Sequence, residues 1–200
     1  MKRDRRGMVI FDLDGTLTVP TLDFDAIRAE IGLPPGPILE ALEHLGDTDR
    51  QRAEDILHRH EHQAAHGSQL QPGAAETIST LRRRGWPVAV LTRNTYKWTQ
   101  VVLNKHGITV DGIRSRDDSA VKPSPEPILS LCTETASQPQ ASWMVGDHLF
   151  DLQSGHAAGC TTVLMVGNCP PPDYAAQANH VVTSLAQLVG LMDHSPSERV

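Results

Sequence analysis

The chain has 200 residues, 39% of them apolar and 21% charged, with a formal net charge of -6. That length suits one globular domain carrying an insertion, and is short for two full domains. The acidic balance, with no basic run beyond Lys2 to Arg6, argues against a nucleic-acid polymer held on a basic face, and no stretch reaches membrane-span length, so neither partner is expected.

Met8–Phe11 is a short apolar run that ends on Asp12 and reads as a buried strand. From Asp23 to about His66 there is no strand signal, and the periodicity predicts helices over Phe24–Ile31, Pro37–Leu45 and Asp49–Ala65. The Pro34-Pro35-Gly36 turn separates the first two, and Asp47-Thr48-Asp49 is positioned to cap the third. Strand and helix then alternate. Val88–Leu91, Trp143–Val145, Thr162–Val166 and His180–Val182 are predicted strands; Ala74–Arg84, Thr95–His106, Glu126–Thr135, Leu149–Ala158 and Ser184–Met192 are predicted helices. Such alternation implies an α/β fold with a doubly wound parallel sheet covered on both faces. Residues 1–20 and 68–192 are thereby assigned to the sheet domain and 21–67 to a small helical insertion after the first strand. The Ser-, Pro- and charge-rich end, 193–200, is expected to be disordered.

Cys132, Cys160 and Cys169 are odd in number and form no CxxC pair. Free thiols in a reducing cytoplasm are expected, with Cys132 and Cys160 as core residues. Met8–Phe11 is too short for an export segment, despite the basic residues before it.

The chemistry concentrates at strand ends. In Phe11-Asp12-Leu13-Asp14-Gly15-Thr16, two carboxylates stand where a buried strand runs out, and Gly15 permits a sharp turn beside them. Asp147 follows another apolar strand, and Asp151 lies one helical turn beyond it. Capping of that helix is the structural alternative for this pair. Gathering Asp12, Asp14, Asp147 and Asp151 would raise their pKa values by mutual repulsion, a conflict that a hard divalent cation resolves; magnesium suits such an oxygen-rich set. Thr92, after Val88–Leu91, and Lys122, before Pro123, complete a plausible phosphate site.

In order and spacing, Asp12-Leu13-Asp14-Gly15-Thr16, Thr92, Lys122, and Gly146-Asp147 with Asp151 resemble the four motifs of the haloacid dehalogenase superfamily, across residues 8 to 166. The helical insertion resembles the cap of phosphoglycolate-phosphatase-like members, though it is shorter. The resemblance implies a Rossmann-like core and a magnesium-dependent phosphatase acting on a small phosphorylated metabolite: phosphoglycolate, a sugar phosphate or a nucleotide. It further implies that Asp12 is the nucleophile forming an aspartyl-phosphate, and that Asp14 is the acid and base. Magnesium would be held by Asp12, the Asp14 backbone carbonyl and Asp147, with Asp151 directly or through water. Thr92 and Lys122 would hold the transferring oxygens. Arg93 stands where relatives often have Asn directly after the threonine; it is grouped with them as a phosphate-binding candidate, with pairing to an anionic substrate group, to the cap or in a surface salt bridge all open. Asp14 favours phosphoryl transfer over carbon–halogen hydrolysis, because dehalogenase members lack an acid/base aspartate there. A phosphomutase and a catalytically silent binding protein are the alternatives, and monomer and homodimer both stay open.

His58, His62 and His66 recur at four-residue spacing, with His60 and Glu61 between them. Two histidines at i and i+4 can ligate zinc. No HExxH pattern or obvious further ligand accompanies them, so a polar helix face is expected, with Ala53, Ile56, Leu57 and Ala64 turned inward. Pro170-Pro171-Pro172 reads as a stiff connection.

Overall fold

The computed structural model describes residues 7–193; the basic run Lys2–Arg6 and the tail from 194 onwards lie outside the described residues. Val9–Phe11 (β1), Val88–Leu91 (β2), Gly112–Arg114 (β3), Trp143–Gly146 (β4), Thr161–Met165 (β5) and His180–Val182 (β6) form a parallel sheet in the order β3-β2-β1-β4-β5-β6. The helices are Phe24–Ile31 (α1), Ile38–Leu42 (α2), Asp47–Gly67 (α3), Ala74–Arg83 (α4), Tyr96–Lys105 (α5), Glu126–Glu134 (α6), Leu149–Ala158 (α7) and Ala186–Asp193 (α8). This is the parallel α/β, Rossmann-like core that the alternation predicts, and Asp193 closes α8 rather than opening a disordered tail.

Sheet residues alternate between faces. Met8, Ile10, Ala89, Leu91 and Met144 form one core with Ile128, Leu131 and Cys132 of α6, Ala158 of α7, and Cys160. Val9, Phe11, Val88 and Val90 alternate with them and are equally inaccessible. Helices α4 and α8 pack together, as do α6 and α7. Burial on both faces explains why these strands read as continuous apolar runs. No helix among the described residues is long and apolar enough to cross a membrane.

Strand β3 has no counterpart among the strands that the sequence pattern predicts. It contains one apolar residue, Ile113, and all three of its positions are only partly buried at the sheet edge. Such a strand carries almost no periodic signal. Gly112 permits close helix approach there, since a Cβ would fall 2.6 Å from Leu131 Cδ2.

By its internal contacts the chain divides into two compact units, Thr21–Ser68 and the remainder. The smaller has its own apolar cluster of Ile27, Ile38, Leu42, Ala53 and Leu57. Asp23 caps α1, its Oδ1 accepting from Ala26 N at 2.9 Å. Three details differ from expectation. Helix α2 spans only Ile38–Leu42. Helix α3 begins at Asp47 with Gly46 as its N-cap, so Asp47 and Asp49 lie in its first turn, where the helix dipole favours them, rather than capping it. Its buried line is Ala53, Leu57, Glu61 and Ala65, every fourth residue, while Ile56 and Ala64 are only partly buried.

Candidate active site

Strands β1 and β4 are neighbours, with Phe11 opposite Val145, and Asp12 N donates to Val145 O at 2.9 Å. Asp12 and Asp147 therefore leave the carboxyl ends of adjacent strands. Chain order reverses between these strands, the position where open α/β sheets form their crevice. Two glycines admit the carboxylates. At Gly15, with φ of +90°, a Cβ would lie 2.2 Å from Asp147 Oδ2; at Gly146 it would lie 2.1 Å from Asp151 Cγ.

Lys122 is the buried cation of the cluster, only 3% exposed. Its Nζ lies 2.7 Å from Asp12 Oδ1 and 2.6 Å from Asp151 Oδ1. Asp151 is fully buried at the start of α7, and its second oxygen accepts from His148 N at 3.0 Å. His148 in turn accepts from Phe150 N through Nδ1, completing a capping box. Asp151 therefore caps the helix, as the structural alternative has it, and also pairs with the lysine, a contact that neither reading of the sequence named. The backbone around Lys122 is fixed on two sides. Arg93 Nη1 donates to the Lys122 carbonyl at 2.6 Å, and Ser154 Oγ donates to the Ser124 carbonyl at 2.7 Å. The Arg93 guanidinium also lies 4.8 Å over the Phe150 ring.

Asp14 faces the end of β2. Asn94 Nδ2 donates to Asp14 Oδ2 at 3.0 Å, and Asn94 N donates to Thr92 Oγ1, also at 3.0 Å. The asparagine is itself held by Thr95 N, which donates to its Oδ1 at 2.8 Å. Thr16 Oγ1 donates to Asp147 Oδ1 at 3.0 Å, and Tyr174 OH to the Asp147 carbonyl at 3.2 Å.

Electrostatics follow from this crowding. Burial pushes the Asp12 carboxyl up to about 6, against the pull of Lys122 and with Asp151 adding repulsion. Burial also lifts Asp14 to about 6, with the Asn94 hydrogen bond opposing it. Asp147 reaches about 8, through burial first and then repulsion from Asp12 and Asp151. Burial alone would lower Lys122, but Asp12 and Asp151 outweigh it and hold the ammonium above its ordinary range. Ligand atoms of Asp12, Asp147 and Asp151 lie within 4.8 Å of one another. One lysine does not neutralise three carboxylates, and an all-oxygen donor set of this size fits a hard divalent cation. The Asp14 carboxylate is outside that group and is engaged by Asn94 instead.

Of the sequence-predicted residues, Asp12, Lys122, Asp147 and Asp151 thus form one cluster, with Asp14 and Thr92 linked through Asn94 and Arg93 buttressing the lysine backbone. The links that sequence reasoning left without a role are Asn94, Thr16 and His148. Thr16 and Asn94 stand inside or beside the motifs, so their position was a signal; the cap on His148 was not legible. An open cleft of about 750 Å³ along β3, lined by Tyr96, Gln100, Arg114 and Asp117 among others, shares no residue with this cluster. The convergence of charged groups, not concavity, marks the site.

Close packing at Gly146 makes a prediction. In Gly146→Ala the added methyl displaces the Asp151 carboxylate, an overpacking cost of about 1–3 kcal/mol. Urea denaturation should show a lower midpoint at unchanged slope. An unaltered midpoint would mean that Asp151 moves aside freely.

The haloacid dehalogenase-like hydrolase profile matches residues 18–165, beginning just downstream of Asp12 and Asp14. A haloacid dehalogenase-like hydrolase domain-containing protein of Arabidopsis thaliana is 32% identical, over 92% of this chain and 83% of its own. A phosphoglycolate phosphatase of Haemophilus influenzae is 29% identical, over 92% of this chain and 97% of its own. The crystal structure of a hydrolase from Pseudomonas syringae shares the fold, with a TM-score of 0.81 at 19% identity over 94% of this chain and 98% of that one. The chain belongs to the haloacid dehalogenase-like hydrolase family.

Proposed function

We propose that this protein is a magnesium-dependent phosphatase that hydrolyses a small phosphomonoester of the phosphoglycolate, sugar-phosphate or nucleotide class, with Asp12 as nucleophile. The observation that carries the reading is the buried Asp12–Lys122–Asp151 arrangement at the strand ends, with Asp14 held by Asn94 beside it. The named activity of the Haemophilus influenzae relative supports the same substrate class.

An Asp12 oxygen attacks phosphorus, forming the aspartyl-phosphate bond as the bond to the leaving-group oxygen breaks. Asp14 gives that oxygen its proton, then takes one from the water that hydrolyses the acyl phosphate, which releases phosphate and restores Asp12. Asn94 fixes one Asp14 oxygen and leaves the other to exchange the proton. Lys122 holds Asp12 in place and stabilises charge on the transferring oxygens, together with the Thr92 hydroxyl; Arg93 adds positive charge for an anionic substrate group. Asp12, Asp147, Asp151 and the Asp14 backbone carbonyl would hold magnesium. When bound, magnesium neutralises the carboxylates and lets an anionic phosphate approach. The Thr21–Ser68 unit serves as the helical cap that selects the leaving group. The setting is cytoplasmic, in keeping with the free thiols at Cys132, Cys160 and Cys169.

The test is phosphate release from a panel of phosphomonoesters, with magnesium or with EDTA. Activity on at least one compound, dependent on magnesium and independent of any sugar bisphosphate, is the expected result. Activity that requires a bisphosphate would assign a phosphomutase. Independently of turnover, magnesium at about 100 times its Kd should stabilise the fold by about 2.7 kcal/mol. For a chain of this size that is roughly 5–10 °C in Tm. The shift should disappear in Asp147→Asn, and a shift that survives there would remove Asp147 from the metal site.

A further inference from the structure

We infer that His148 is a substrate-binding residue of the proposed phosphatase site. Its Nε2–H donates to an oxygen of the leaving group, and so selects phosphomonoesters with an oxygen acceptor on the second carbon from the ester. The inference deepens the function proposed above and rests on it.

His148 directly follows Asp147, beyond the carboxyl end of β4. Its backbone N–H donates to Asp151 Oδ2 at 3.0 Å, while the other Asp151 oxygen pairs with Lys122, so the residue is tied to the reacting cluster. The ring is oriented just as closely. Phe150 N donates to its Nδ1 at 3.2 Å. A backbone N–H only donates, so Nδ1 carries no proton and the neutral ring holds it on Nε2. The imidazole meets Phe150 edge-on, with centroids 4.9 Å apart and planes at 68°, and lies 6.3 Å from the Tyr174 ring. Among the described residues Nε2 makes no hydrogen bond, and His148 is exposed. A fixed donor is thus open to a ligand.

Its neighbours set that donor beside the nucleophile. Lys122, Asp12 and Arg93 all act on the ring electrostatically. Both aromatic neighbours are joined to the same site: the Arg93 guanidinium lies over Phe150, and Tyr174 OH donates to the Asp147 carbonyl. Lys122 and Thr92 serve the transferring oxygens, which leaves His148 for the part of the substrate that departs. Phosphoglycolate, glucose 6-phosphate and AMP differ in size, yet each has an oxygen on the second carbon from the ester, as a carboxylate or a ring oxygen. A neutral donor suits all of them, because it needs no charge on the acceptor. A site that hydrogen-bonds its substrate in this way discriminates against an analogue lacking the partner.

Steady-state phosphate release by the full-length protein with magnesium tests the assignment, comparing wild type with His148→Asn. The substrates are phosphoglycolate, glucose 6-phosphate and AMP, with phenyl phosphate, which has no such oxygen, as reference. Asparagine still caps the helix by accepting from Phe150 N, but its side chain stops short of the Nε2 position. The ratio of kcat/KM for the best of the three substrates to that for phenyl phosphate should fall about 10-fold, chiefly through KM, as befits one lost hydrogen bond. A purely structural cap would lower both values alike. An unchanged ratio would therefore overturn the inference, as would a wild-type preference for phenyl phosphate over all three. Should the asparagine variant melt early in a thermal scan, His148→Ser, which also caps and cannot reach, replaces it. If wild type releases phosphate from none of the four, the phosphatase reading itself falls and takes this inference with it; turnover with an unchanged ratio removes His148 alone.

Discussion

Asp12→Asn should abolish phosphate release, lowering kcat by at least about 10⁴-fold, while leaving the fold intact. An amide oxygen can still accept from Lys122, so the 2.7 Å contact survives in kind. The amide has no anionic oxygen to form the acyl phosphate, so the loss falls on chemistry rather than binding. Stability gives the control. The Asp12 carboxyl rises from 3.8 to about 6 on folding, chiefly through burial. A raised acid pKa means that ionisation opposes folding; the penalty grows as pH rises from about 4 and is complete above about 6. In EDTA at pH 8, Asp12→Asn should therefore be no less stable than wild type, and its loss of stability between pH 4 and 7 should be smaller. Thermal scans across that range, paired with single-turnover phosphate release, check both arms. Residual turnover within 10-fold of wild type would remove Asp12 as nucleophile.

Lys122→Met should have the opposite balance, with the fold itself damaged. Lys122 is the buried cation facing both Asp12 and the fully buried Asp151. Without it, Asp151 keeps, among the described residues, the His148 backbone donor, and two carboxylates repel one another out of water. Breaking one side of a buried ion pair costs about 3–5 kcal/mol, because the surviving charge is uncompensated. That corresponds to a Tm lower by roughly 6–20 °C. Turnover should fall by at least about 10²-fold through loss of charge at the transferring oxygens. Adding Asp151→Asn to Lys122→Met should recover much of the stability and none of the activity, and a double-mutant cycle in urea measures the coupling. A single-variant cost below about 1 kcal/mol would contradict the buried pair described above.

The positions most readable from sequence were those fixed by burial on two faces. β1, β2 and β4 are short apolar runs because both surfaces of the sheet are covered, and each run is followed by a candidate site residue: Asp12, Thr92 or Asp147. β3 escaped notice because an edge strand with Gly112 and Arg114 has no comparable constraint. In α3, period alone placed Ile56 and Ala64 inward, but the buried line runs through Ala53, Leu57, Glu61 and Ala65. A buried glutamate on that line contradicts a hydrophobicity rule, and polarity could not reveal it.

The candidate reacting groups were written in the order of residues: Asp12 and Asp14 flanking one turn, Lys122 before a proline, Asp147 and Asp151 one helical turn apart. Which of them touch was decided by tertiary structure. Parallel pairing of β1 with β4 sets Asp12 beside Asp147, and the glycines at 15 and 146 leave room that any side chain would fill. The partners of Asp14 and Lys122 depend on loops from β2 and α7 arriving at the same sheet edge, a coincidence of distant segments that local patterning does not encode. Short-range rules follow from the geometry of one strand or one helix, whereas a hydrogen bond across 80 residues exists only once the whole core has packed.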